Sequence, residues 1–154
     1  MKLSFGAVFL LISLNSYGNN MEQGKIDTQK LFDSVLPLAQ QFLLENDEFF
    51  PFGEVMKPNG EQVSLSAQLE DERPSSSDLI ELLKNHYIQS AQSQDIIASS
   101  LAYDVKIEGS DAIAVDLDHV SGYSVTVFVP YELTDNELVI GKMFTLKGKN
   151  QIFK

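Results

Sequence analysis

A chain of 154 residues with 44% hydrophobic content is long enough and apolar enough for one domain with its own core, which excludes an intrinsically disordered protein. Asp and Glu number 22 against 11 Lys and Arg, so the net charge of −11 repels nucleic acids and anionic membranes and attracts basic partners. The lack of cysteine excludes disulfides, thiolate metal sites and a cysteine nucleophile.

The N-terminus has the pattern of a bacterial signal peptide. Lys2 supplies a positive charge, residues 3–14 are almost wholly apolar, and Ser16 and Gly18 are small residues of the kind that signal peptidase accepts before its cut. The apolar run is too short to span a bilayer comfortably. We therefore predict cleavage after Gly18, one folded domain in residues 19–154, a periplasmic or secreted location and no stable insertion into a membrane.

The next part of the chain predicts a polar arm followed by a helix. Residues 19–27 are polar and predict a loose arm. Residues 28–46 then carry apolar side chains at three- and four-residue steps, as an amphipathic helix does. Pro37 lies inside this run and removes a hydrogen-bond donor, which predicts a kink or a later helix start.

A hairpin and a second helix follow. Residues 49–56 and 63–69 predict two paired strands, because they flank Asn59-Gly60, two residues that accept positive φ. Residues 77–99 predict a helix with one apolar stripe. A serine among residues 75–77 can cap its N-terminus.

The remaining sequence predicts three or four strands, over residues 101–107, 113–117, 123–129 and 138–146, where apolar and polar side chains alternate. The element order is then α-β-β-α-β-β-β, with one optional further strand. We predict an α+β fold in which an antiparallel sheet of five to six strands carries both helices on one face, because that arrangement buries the apolar sides together.

This element order resembles that of the profilin-like and roadblock-like α/β sandwiches, which share a five-stranded sheet interrupted by a helix after the second strand. A cystatin-like arrangement is the alternative. The segment Glu48-Phe49-Phe50-Pro51-Phe52-Gly53 is similar to the opening hairpin of small exported bacterial proteins of uncharacterised function, and this likeness implies no activity. The profilin-like resemblance implies a small ligand held against the sheet, with Tyr103 and Tyr123 lining the pocket.

Asp116, Asp118 and His119 form a compact polar cluster in a predicted strand. Strand alternation points Asp116 and Asp118 to one face and His119 to the other. Two carboxylates on one face can hold a divalent cation or act as an acid–base pair. The glycine-interleaved spacing of a calcium loop is missing, however, and a solvated outer strand face is the simpler interpretation. We therefore predict no metal, no cofactor and no catalytic residue, and keep these three residues as polar-cluster candidates.

The hairpin is unusually aromatic at Phe49, Phe50 and Phe52. We predict that Phe50 faces opposite to Phe49 and Phe52, so at least one ring can face outward as a protein contact unless the first helix buries all three. Phe128 points to the second face of the sheet and extends this contact surface if that face is open.

Export, small size, acidity and the lack of a catalytic set favour a non-enzymatic binding protein over an enzyme. The expected partner is a basic protein, as for an inhibitor or an immunity protein directed at a toxin. Two alternatives stay open. One is a small-ligand-binding or sensory module, and the other is a hydrolase that uses Asp116 and Asp118.

Overall fold

A computed structural model describes residues 5–70 and 73–154, with side chains from residue 20 onward. These residues form two helices and seven strands in an α+β fold. The elements are α1 (Phe5–Asn46), β1 (Phe52–Met56), β2 (Gln62–Ser66), α2 (Ser76–Gln92), β3 (Ala98–Ile107), β4 (Ser110–His119), β5 (Ser124–Thr134), β6 (Glu137–Ile140) and β7 (Phe144–Lys147).

The strands form one antiparallel sheet in the spatial order β2-β1-β3-β4-β5-β6, and β7 also pairs with β5. In addition to β4, β5 pairs with two further strands: its first half pairs with β7 and its second half pairs with β6. β1 lies between β2 and β3, so the connection through α2 crosses over it. The predicted α+β class and antiparallel sheet are confirmed. The strand count rises to seven because residues 141–143 divide the predicted strand 138–146 into β6 and β7.

The two helices pack against opposite faces of the sheet, so the prediction that both lie on one face is wrong. α1 covers the face that carries Met56, Ala102 and Val115. α2 covers the other face, around Val55 and Leu101. The reason is that β3 and β4 contain consecutive buried residues and are covered on both sides. A sheet buried on both faces needs a layer on each.

α1 begins well before the predicted start. Residues 19–27, predicted as a loose arm, are helical, and the helix runs through Pro37 without ending there. Within this stretch Thr28 Oγ1 donates to the Gly24 carbonyl at 2.8 Å. The polar composition of residues 19–27 predicts a solvated arm, but Asp27 is buried against His119 of the sheet.

Asp27 and His119 form the contact that holds this end of α1 on the sheet, and we call it the Asp27–His119 latch. Asp27 Oδ2 lies 3.1 Å from His119 Nε2, and both side chains are buried. The backbone N–H of Ser121 donates to His119 Nδ1 at 3.0 Å. Since Nδ1 accepts this hydrogen bond, the ring carries its hydrogen on Nε2, and the Nε2–H group donates a hydrogen bond to Asp27.

α2 has the predicted cap but a shorter span than predicted. Ser75 Oγ accepts a hydrogen bond from the backbone N–H of Asp78 at 3.1 Å, which confirms the serine cap. The helix ends at Gln92 rather than at residue 99, because Ala98 already belongs to β3 and is buried under α1. Apolar residues between Gln92 and Ala98 continue the apolar stripe of α2 in the sequence, which is why the prediction places the helix end too late.

The predicted signal peptide, residues 1–18, stays a prediction. Residues 1–4 lie outside the described residues, as do the side chains of residues 5–19, while the backbone from Phe5 onward belongs to α1. None of the described helices is both long enough and apolar enough to cross a membrane.

Candidate functional site

A cavity of about 230 Å³ lies between the sheet, α2 and the C-terminal segment 144–153, which we call the C-terminal strap. β3, β4 and β5 make its floor, Lys84 and Tyr87 of α2 make one wall, and the strap makes its rim. A water molecule takes about 30 Å³ in the liquid, so this space suits one small molecule rather than a macromolecular segment.

Two carboxylates line the floor of this cavity, on the same face of β4 as alternation predicts. Thr126 Oγ1 donates to Asp116 Oδ1 at 2.6 Å, and the Tyr103 hydroxyl donates to the same oxygen at 3.2 Å. Ser124 Oγ donates to Asp118 Oδ1 at 2.6 Å. Within residues 20–70 and 73–154, no hydrogen bond reaches the second oxygen, Oδ2, of either carboxylate. Each carboxylate therefore keeps an acceptor for a ligand.

The electrostatics of the floor follow from burial. Asp118 is 7% exposed, and this burial raises the pKa of its carboxyl group. The hydrogen bond from Ser124 lowers that pKa, the neighbouring Asp116 raises it and Lys84 lowers it. Burial and Asp116 also raise the pKa of the Tyr103 hydroxyl, which therefore remains a hydrogen-bond donor near neutral pH.

Lys84 brings a positive charge to the wall of the cavity. Its Nζ donates to Gln151 Oε1 of the strap at 3.0 Å. The ion pairs among the described residues join other groups, so Lys84 is not in contact with Asp116 or Asp118. Opposite charges thus line the same cavity without pairing to each other.

The C-terminal strap is fixed above the floor by β5. The Gly148 N–H donates to the Ser124 carbonyl, and the Asn150 N–H donates to Ser124 Oγ, each at 3.0 Å. Ile152 is buried in the apolar cluster beneath α2. A Cβ atom on Gly148 would overlap Ser124 Oγ, so this close approach requires glycine. Ser124 therefore positions both the strap and Asp118.

The polar-cluster candidates divide between the two faces of the sheet. The interpretation of Asp116 and Asp118 as a solvated outer face is wrong, because α2 and the strap cover that side. His119 points to the opposite face, as alternation predicts, and belongs to the Asp27–His119 latch. Among the described side chains, no three His, Asp or Glu groups come together in a way that could hold a metal ion.

Phe50 separates from Phe49 and Phe52 as predicted, but strand alternation is not the cause, because it would place Phe50 and Phe52 on one face and β1 begins only at Phe52. Phe50 is 57% exposed, while Phe49 and Phe52 are buried in the core beneath α1. Phe128 is half-buried at the cavity and stacks on Phe144 of the strap, with ring centroids 5.1 Å apart. Of the four predicted contact residues, Phe50 presents the most open surface.

Sequence reasoning found part of the cavity. Tyr103 lines it, as the ligand-binding alternative expects, whereas Tyr123 lies on the other face beside Gly24 of α1. The strap, Lys84 and Ser124 were not found. The sequence holds one signal for the hydroxyl groups of the site, because Ser124 and Thr126 are two residues apart in β5 and therefore share a face. That they bond to the two aspartates follows only from the strand register, which places Ser124 opposite Asp118.

The chain matches no protein-family model, no curated protein and no solved structure. The resemblances based on element order and on the aromatic hairpin therefore stay predictions.

Proposed function

We propose that this domain binds a small polar molecule in the cavity beneath the C-terminal strap. The observation that carries the proposal is the pair Asp116 and Asp118, which line a cavity and keep an unbonded oxygen each among the described residues. Burial of Asp118 disfavours its charged form, so a carboxylate at this position lowers the stability of the fold. Such groups are typical of sites where function outweighs stability.

The test is thermal unfolding of the purified protein with panels of primary amines, amino acids, carboxylic acids, sugars and nucleosides. A ligand at one hundred times its Kd adds about 2.7 kcal/mol, which raises the Tm of a domain this size by about 5–11 °C. We expect at least one class to do so. Turnover of the bound compound would favour the hydrolase alternative.

The controls use matched aspartates. The double variant Asp116→Asn, Asp118→Asn is expected to lose the shift. Asp104→Asn is expected to keep it, since Asp104 also accepts a tyrosine hydroxyl, from Tyr131 at 2.9 Å, but on the α1 face. The proposal fails if no class shifts the Tm, or if the double variant responds as the wild type does.

A second candidate function, binding of a basic protein, is supported by the surface around Phe50. The exposed Phe50 ring adjoins an open groove of about 710 Å³ that Leu38, Phe42 and Leu65 line. β2 borders the groove and is an edge strand of the sheet. An extended segment can add to such an edge through backbone hydrogen bonds.

Charge indicates which partner would fit this groove. Glu48 lines it and Glu45 and Asp47 flank it in sequence, and the ion pairs among the described residues use none of the three. We propose an extended basic segment with an apolar residue that contacts Phe50.

The groove is tested with an exported-fraction extract passed over immobilised wild type, Phe50→Ser and Val139→Ser. Val139 is 56% exposed on β6, at the other edge of the sheet, and is the matched control. We expect a stoichiometric basic protein on the wild type and on Val139→Ser, and its loss on Phe50→Ser. Equal retention by the two variants would exclude the groove.

A further inference from the structure

We infer that the ligand of the cavity is a zwitterion of the small α-amino acid type, with its ammonium group on Asp116 and Asp118 and its carboxylate directed to Lys84. This inference rests on the proposed ligand-binding function and adds the chemical class of the ligand.

The ammonium position follows from the spacing of the two carboxylates. Asp116 and Asp118 are two residues apart on one face of β4, which places their Cα atoms about 6.6 Å apart. A single nitrogen between the two side chains is then within reach of an oxygen from each. Both Oδ1 atoms accept neighbouring hydroxyls, and the Oδ2 atoms have no hydrogen bond within the described residues. An ammonium group, which has three donors, matches these acceptors.

The carboxylate position follows from the lysines. Lys84 lines the same cavity as the two aspartates, with Gln151 as its hydrogen-bond acceptor rather than a carboxylate. Lys147 and Lys149 of the strap add positive charge at the exposed rim. The cavity therefore has a negative floor and a positive wall and rim.

Both simpler ligand classes match this arrangement less well. A purely anionic ligand would meet the two aspartates of the floor, and like charges at close range repel each other. A purely cationic ligand would leave Lys84 beside it without a counter-charge. A zwitterion pairs both signs at once, and the volume of about 230 Å³ limits it to a small molecule.

The test removes one ligand charge at a time. The twenty common amino acids are first scanned by thermal shift, and the strongest binder is then compared by calorimetry with its decarboxylated amine and its deaminated acid. We expect the amino acid to bind at least tenfold more tightly than either analogue, since each analogue lacks one charge-assisted contact.

The variants assign each charge to a residue. Lys84→Gln is expected to weaken the amino acid about tenfold and not to weaken the amine, because glutamine can still bond to Gln151 but carries no charge to attract the carboxylate or to repel the ammonium group. Asp118→Asn is expected to weaken both compounds. A merely structural role for Lys84 would lower the affinity for the amine as well.

The possible failures are distinguishable. If the amine binds as tightly as the amino acid and Lys84→Gln affects neither, the zwitterion inference is wrong while the ligand-binding function stands. If a sugar or nucleoside binds in an Asp116-dependent manner and no amino acid does, the same conclusion follows. If no compound of any class binds, both the inference and the proposed function are wrong.

Discussion

Gly148→Ala should release the C-terminal strap from β5. The added Cβ would overlap Ser124 Oγ and lie 2.7 Å from both the carbonyl carbon of Ser124 and the backbone nitrogen of Val125. Two of these three atoms are backbone, so a side-chain rotation cannot relieve the clash. Either the site retains the strain of overpacking, about 1–3 kcal/mol, or the strap lifts and loses its two hydrogen bonds to Ser124, about 1 kcal/mol each.

We therefore expect the free energy of unfolding to fall by about 2 kcal/mol, which lowers the Tm of a domain this size by about 4–8 °C. Urea unfolding with an unchanged m-value measures the loss. The affinity for the cavity ligand should fall in parallel, because the strap forms the rim of the cavity.

Gly141→Ala is the matched control for this prediction. Its Cβ would lie 3.2 Å from Pro130 Cβ, a side-chain atom, and we expect a loss below about 1 kcal/mol. Neither Gly141 nor Gly148 has a positive φ, so backbone strain does not distinguish the two positions. Equal stability of the two variants would refute the close contact between the strap and β5.

Three further predictions concern single buried groups. Burial raises the pKa of Asp118 in the folded state, so its favourable contribution is present at low pH and is lost as the pH rises through the folded pKa. Asp118→Asn should therefore unfold at a higher urea concentration than the wild type near pH 7, and the difference between the two urea midpoints should vanish toward about pH 4. A difference in midpoint that does not change with pH would contradict this. Tyr87→Phe should cost about 1–3 kcal/mol in urea unfolding, because the buried Tyr87 hydroxyl donates to the Ser100 carbonyl at 3.0 Å, and a neutral result would show that water replaces it. Asp27→Ala should cost a similar amount by opening the Asp27–His119 latch, with faster amide exchange near residue 24 as its local signature and unchanged exchange as the contrary result.

Alternation within each strand was readable from the sequence, and it correctly separated Asp116 and Asp118 from His119. Period-two patterns carry this information because successive side chains in a strand point to opposite faces. Local rules therefore identified which side chains share a face, and the serine cap of α2 as well.

The layers above each face were not readable, because they depend on contacts distant in sequence. The strap reaches Ser124 from more than twenty residues away, and the latch joins Asp27 to His119 across most of the chain. The polar sequence of residues 19–27 predicts an arm for the same reason, because burial of Asp27 depends on His119, which lies in a distant strand. Tertiary partners overrode local polarity at each of these points.

Alternate side chains of β4 face the apolar core on one side of the sheet and the cavity on the other. In β4, Ile113, Val115 and Leu117 point to the α1 face and are almost fully buried in the main apolar cluster, where truncation to alanine costs about 2–5 kcal/mol. Asp116 and Asp118 alternate with them and point into the cavity, and at Asp118 the neutral amide is expected to be at least as stable as the carboxylate near pH 7. A single strand therefore holds the core with one set of side chains and lines the cavity of the proposed ligand site with the other. Because the two sets lie on opposite sides of the backbone, substitutions in the cavity should change ligand selectivity without opening the core.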